Sequence, residues 1–270
     1  MPLVKNLTQS VTLIDGISVS FDVIIPSLPG FAFSQAPPAN WTVDDTARVM
    51  NSLMVDILGY NKYAVHGTDW GSAVAYSLYD RFSAHVKASH FVFVPFYPKD
   101  AAGLAALNIT LDKLETFEES GFITWATTGQ GYFNELSTEP NTIGLSLYDN
   151  PVSQLAFIGQ KLIIWSDPRQ GTLPSQVTHN EILRTVSLYY LTQTIVSSGF
   201  IYAQNPNGFK VNYTRAQTDA PLLFSAFKYN IGFWPPALVA KVGNLVSYKS
   251  KSSESLALRG ARFADHMVIV

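Results

Sequence analysis

The sequence predicts an α/β protein, with a mainly parallel sheet covered by helices and one long helical insertion. Three observations carry this reading. Short apolar runs alternate with segments of helical period up to about residue 97. Residues 98–216 then break the alternation with helical, aromatic-rich sequence, and from residue 221 it resumes. Strand, helix, strand succession implies parallel pairing, because parallel strands need a crossover. Residues 1–97 and 217–270 are therefore expected to form one discontinuous core. Residues 98–216 are expected to form a lid over the strand C-terminal ends, the edge at which open α/β sheets bind ligands.

The elements follow in order. Residues 1–20 are weakly patterned. Residues 11–14 and 17–19 around Asp15-Gly16 fit either a hairpin, since Asp-Gly favours a tight turn, or a loop. Residues 21–25 read as a buried strand, ending in the Pro- and aromatic-rich loop 26–34. A helix is expected from Thr42 to about Leu58, with Thr42 and Asp45 as a capping box and Gly59 as its stop. Residues 63–66 read as a strand, 70–81 as a helix and 85–94 as a strand closed by Pro95. Beyond the insertion, 221–227 and 245–248 read as strands with a helix near 236–242 between them. The strands at 21–25, 63–66, 91–94, 222–227 and 245–248 are all expected to run parallel. Residues 21–25, or a segment of 1–19, should lie beside 63–66, since an open gap would strand backbone groups there.

Composition narrows the function. The chain of 270 residues is 47% apolar and 13% aromatic, enough for a sizeable core. Its net charge is −2 with Lys and Arg scattered, which argues against nucleic acid as a partner. With no cysteine, disulfides and thiolate metal sites are excluded. No apolar run reaches membrane-spanning length and the N-terminus lacks signal-peptide character, so a cytoplasmic protein is expected. The Asn-x-Ser/Thr sequons at Asn6, Asn40, Asn108 and Asn212 read as chance matches.

The candidate chemistry centres on Gly67-Thr68-Asp69-Trp70-Gly71. A strand, a tight turn flanked by small residues and a helix form the nucleophile elbow of α/β-hydrolases. Here the central residue is Asp. A carboxylate nucleophile suits displacement at carbon, giving an ester that water then cleaves. Taken alone, the five residues also fit an ordinary strand-to-helix turn with a polar cap.

The flanking segments shift that balance. Residues 21–34, the elbow, the stretch 131–144 reading Gly-Tyr-Phe-Asn-Glu-Leu-Ser-Thr-Glu-Pro-Asn-Thr-Ile-Gly, Asp149-Asn150-Pro151-Val152 and residues 191–202 together resemble microsomal-type epoxide hydrolases, especially fungal ones. The elbow alone is less specific, because haloalkane dehalogenases also use Asp followed by Trp. The resemblance implies that Asp69 is the nucleophile and that Tyr132 and Tyr202 are lid phenols bonding the epoxide oxygen. Phenol O–H groups are sensible donors to a developing alkoxide. It further implies a small apolar epoxide as substrate, with no metal or organic cofactor, and allows a homodimer. Trp70 has two roles open to it: a backbone N–H donor to an oxyanion, or an apolar wall. His66, His85 and His90 lie on or beside strands as core or rim residues, and His179 lies in a polar stretch.

Three departures from the family's pattern stand out. The chain contains no His-Gly-x-Pro turn, which would supply a second oxyanion donor. Asn230 stands where the family has the acid that orients its histidine. Arg262 stands where the family has the histidine, in Gly260-Ala261-Arg262-Phe263-Ala264, with His266 four residues on. A guanidinium cannot take a proton from water at neutral pH. The resemblance thus implies epoxide opening with impaired ester hydrolysis. A pseudoenzyme and an epoxide-opening cyclase are the alternatives.

Overall fold

In the computed structural model, which describes residues 2–12, 15–169, 177–251 and 267–269, the chain begins with helix α1 (Pro2–Thr8) and hairpin strands β1 (Val11–Thr12) and β2 (Ser18–Val19). Next come α2 (Val43–Ser52), β3 (Tyr63–Gly67), α3 (Asp69–Arg81) and β4 (Val86–Phe91). Helices α4 (Ala101–Ala105), α5 (Lys113–Thr124), α6 (Gly131–Thr138), α7 (Pro140–Tyr148), α8 (Pro151–Ile164), α9 (His179–Thr192), α10 (Ile195–Ser198) and α11 (Phe200–Gln204) form the insertion. Strand β5 (Pro221–Phe227), α12 (Pro236–Val239), β6 (Asn244–Lys251) and β7 (Met267–Ile269) follow.

The main sheet has the order β6-β5-β4-β3-β7, and its first four strands run parallel. Two expectations about this sheet are corrected. Residues 21–25 are not a strand; Phe21 is exposed and the segment makes only an isolated bridge at Ile24. The sheet is also not wholly parallel. The place beside β3 is taken by β7, antiparallel, with Val65 opposite Ile269 and Gly67 opposite Met267. An apolar run becomes a sheet strand only when a neighbour supplies partners for its backbone groups. Once β7 holds that edge of β3, residues 21–25 have no strand to pair with there.

Local signals fare better. Thr42 caps α2 with Asp45 closing the box, and a π-turn (Leu53–Ile57) carries the helix on to Gly59, whose φ is +79°. The hairpin forms, but Thr12 pairs with Ser18, leaving five residues between the strands rather than a two-residue turn.

Helix α3 lies directly on β3. A methyl group on Gly67 would come within 2.7 Å of the Ala75 Cβ and the Gly71 carbonyl oxygen, and within 2.8 Å of the Ser72 Cα. Two of those neighbours are backbone, so the contact cannot be relieved by a rotamer change. Gly67→Ala should therefore lower stability by about 3 kcal/mol through overpacking. An unchanged urea midpoint would show instead that α3 slides away freely.

One hydrophobic cluster takes in the sheet (Val65, Phe91, Leu222, Phe224), α3 (Trp70, Leu78) and the insertion (Leu136, Ile158, Tyr189, Tyr202). Hydrogen bonds pin the insertion to the loop before α2. The Ser197 hydroxyl donates to the Gly30 carbonyl at 2.7 Å, and the Val43 N–H donates to Asn205 Oδ1 at 2.8 Å. Among the described residues no helix is long and apolar enough to cross a membrane.

Candidate active site

Asp69 sits at the first position of α3 with φ +46°, in the left-handed region that side chains other than glycine seldom adopt. Such a conformation costs on the order of 1–3 kcal/mol and persists where the surroundings impose it. Here the Ser72 hydroxyl donates to the Asp69 carbonyl at 2.5 Å, and the Ser72 N–H donates to the Thr68 carbonyl at 3.0 Å. The strained turn lifts the Asp69 carboxylate off the end of β3 toward the insertion.

The carboxylate accepts the Trp70 backbone N–H at Oδ1, 2.7 Å away. Burial pushes its pKa up to about 6, while that hydrogen bond pulls the other way. The residue is half-buried because it faces a pocket rather than packed core. Its pKa is raised on folding, so the cost of holding it ionised is absent below the ordinary value of 3.8 and complete above about 6. Asp69→Asn should therefore stabilise the fold above pH 6, by at most about 3 kcal/mol, with the gain vanishing near pH 4. Thermal melts at the two pH values would read this. An equal gain at both would mean that the shift is not the cause.

The pocket over Asp69 is walled by Trp70, Phe93, Phe122, Trp125, Phe133 and Phe209, with Tyr132 and Tyr202 among its lining. Tyr132 comes from α6 and Tyr202 from α11, and their ring centroids lie 6.2 Å apart at 81°. The structure thus brings Asp69, Tyr132 and Tyr202 to one cavity. Burial raises the pKa of both phenols, and the Asp69 charge raises it further. Both remain protonated donors at neutral pH.

Trp70 presents both its N–H and its ring to the site. Its N–H faces the carboxylate, and its ring packs on Tyr202 at 5.1 Å and on Phe209 at 4.7 Å. Gly208 is what lets the chain pass over that ring, since a Cβ there would meet Trp70 Cζ3 at 2.3 Å. Trp125 adds a buried indole N–H to the pocket wall. It favours ionisation of the Tyr132 hydroxyl beside it, yet makes no hydrogen bond of ordinary geometry among the described residues.

The histidines lie elsewhere. His66 and His90 stack at 4.8 Å on neighbouring strands, their Nδ1 atoms 2.9 Å apart, and His90 Nε2 lies 3.0 Å from the Ser225 hydroxyl. Gly67 faces α3, so strand alternation puts His66 on the opposite sheet face. Burial pulls His90 down to about 4, leaving it neutral. His85 bonds the Asn61 carbonyl and His179 begins α9; none of the four lines the pocket. The Asn230 side-chain amide donates to the Val92 carbonyl at 3.0 Å, tying the ends of β4 and β5. Arg262 and His266 lie outside the described residues.

Sequence reasoning passes over Phe93, Phe209, Ile231 and Gly232, which also line the cavity. Phe93, Ile231 and Gly232 lie on loops after strands and Phe209 on the loop after α11, where no periodicity marks them. It also passes over Lys161, the one charged residue in the otherwise uncharged helix α8, which was the available signal.

Comparison with known proteins agrees with this fold. The family profile described as alpha/beta hydrolase fold matches residues 3–128. The chain is 28% identical over 271 residues to juvenile hormone epoxide hydrolase 2 of Ctenocephalides felis, covering 90% of this chain and 55% of that protein. It is 30% identical over 264 residues to epoxide hydrolase 1 of Oryctolagus cuniculus, covering 90% and 56%. The solved structure of Aspergillus niger epoxide hydrolase superposes with a TM-score of 0.67 at 31% identity, covering 86% of this chain and 58% of that one. The chain thus spans a little over half the length of these relatives.

Proposed function

The chain belongs to the epoxide hydrolases of the α/β-hydrolase superfamily, and from that premise we propose that it opens a small apolar epoxide with Asp69 as nucleophile and Tyr132 and Tyr202 as lid donors. The observation that carries this reading is the shared cavity, in which one carboxylate and two phenols face each other across apolar walls. The lid in this reading is residues 98–216.

The chemistry runs as follows. An Asp69 oxygen attacks one epoxide carbon from the back, and the ring C–O bond opens on the far side. The leaving oxygen gathers charge, which the phenols answer with a hydrogen bond and a proton. The Trp70 N–H holds the carboxylate in place and faces the oxyanion when water later attacks the ester. The apolar walls suit an apolar substrate and keep bulk water from the ring.

Replacing Tyr132 or Tyr202 by Phe should slow ring opening about tenfold to a thousandfold, the worth of one transition-state hydrogen bond of roughly 1.5–4 kcal/mol. Single-turnover kinetics would measure it, and a change under twofold for either would remove that tyrosine from the mechanism. Product analysis tests the reading as a whole. A diol supports a hydrolase and a ring isomer a cyclase, while unchanged substrate with no protein adduct supports a pseudoenzyme.

A second reading is favoured by one observation. By the family resemblance, Arg262 stands where the family has its histidine. Ring opening is then retained and ester hydrolysis impaired.

A further inference from the structure

Lys161 is buried in the insertion, 7% exposed, on a helix that carries no other charge. Its ammonium lies 5.3 Å from the centroid of the Tyr132 ring and 4.4 Å from that of Phe157. The Gln160 side-chain oxygen, 3.2 Å away, is its hydrogen-bond partner. Among the described residues no carboxylate pairs with it. Burying a cation in this way is costly unless the surroundings return something for it. Among the described residues no Lys or Arg lies over the Tyr202 ring, which packs instead on Trp70, Tyr132 and Phe133.

We propose that Lys161 is a positioning residue acting through Tyr132: its ammonium, held over the ring face, makes Tyr132 rather than Tyr202 the phenol that gives up its proton when the epoxide opens. The inference rests on the ring-opening reading for the direction of proton flow. The charge balance is explicit. A lone pair of the Asp69 carboxylate forms the new C–O bond, and the ring C–O bond breaks with its electron pair going to oxygen. That oxygen takes the phenol proton, leaving an ester, an alcohol and a phenolate. One negative charge has thus moved from Asp69 to a tyrosine. A cation beside Tyr132 stabilises the charge where it arrives, and Tyr202, without one, serves as a hydrogen-bond donor that keeps its proton. Lys161 does not line the cavity.

The groups that face the Tyr132 phenol set the balance. Asp69 on the elbow and Tyr97 after β4 disfavour its ionisation, Trp125 favours it, and Tyr202 is its neighbour across the cavity. Burial lowers the pKa of Lys161 itself.

The test does not need turnover. The more acidic analogue 3,5-difluorotyrosine is placed at position 132 or at 202, and its ionisation is followed by fluorine NMR against pH. In the otherwise unaltered chain the probe at 132 should titrate about one pH unit or more below the probe at 202. Lys161→Met should raise the midpoint at 132 by about one unit, a tenfold change in acidity, and move that at 202 by less than half as much. Lys161→Arg, which keeps the charge, should leave both within about 0.3 unit of the unaltered chain. A midpoint at 132 that does not move in Lys161→Met overturns the proposal, as does a lower midpoint at 202 than at 132. The comparison of the two probes needs no lysine variant, so it decides the matter even where Lys161→Met does not fold. If the midpoints behave as expected while no epoxide is opened, the ring-opening reading fails and the electrostatic pairing stands.

Discussion

Incubated with a reactive apolar epoxide, the chain should gain the mass of one substrate on Asp69, and the Asp69→Asn variant should gain none. An amide oxygen is a far weaker nucleophile than a carboxylate, and Asn forms no stable alkyl ester, so the expected difference is all or none. The carboxylate must be ionised to attack. Its pKa near 6 means that adduct formation should climb about tenfold per pH unit below 6 and level off above it. Intact-mass spectrometry after short incubations between pH 4.5 and 8 reads both features. Equal labelling of the Asn variant would place the reaction elsewhere, and a flat pH profile would show that the burial of Asp69 does not govern its charge. The double requirement is useful, because a surface carboxylate alkylated by chance would titrate near 4 and survive the Asn substitution.

The ester so formed should persist. Activating the attacking water by a general base is worth about 10²–10⁴-fold, and Arg262 cannot supply it. Ester cleavage should then lag ring opening by about 10²–10⁴-fold. Arg262→His should release part of the trapped ester as diol, measured by loss of the adduct mass and appearance of product. Adding Asn230→Asp should help orient the new imidazole, but at a cost in stability. The Asn230 amide now donates to the Val92 carbonyl, and a carboxylate there can only repel it. Steady diol formation by the unaltered chain would sink this account and turn attention to His266.

Several parts of this protein are legible one segment at a time. The elbow shows in the small residues on either side of Asp69 because the turn and the helix behind it leave 2.7 Å for a side chain at Gly67. The Thr42–Asp45 box shows because capping acts over three residues. The two tyrosines are different. Nothing in their spacing distinguishes them among the chain's 13, and only the family resemblance of their flanks singles them out.

The sequence by itself therefore determines the succession β3, α3, β4, inserted helices, β5 and β6, and the carboxylate at the elbow. These follow from hydrophobic period, capping and turn sterics, all of which act between residues a few positions apart. Tertiary structure alone decides which segment lies beside β3, because strand pairing is a competition between distant segments for one row of N–H and C=O groups. Met267–Ile269 holds that row and residues 21–25 go without. It likewise decides that Lys161 lies on the ring of Tyr132, 29 positions away, since the tertiary arrangement of the inserted helices sets that contact and no local pattern encodes it.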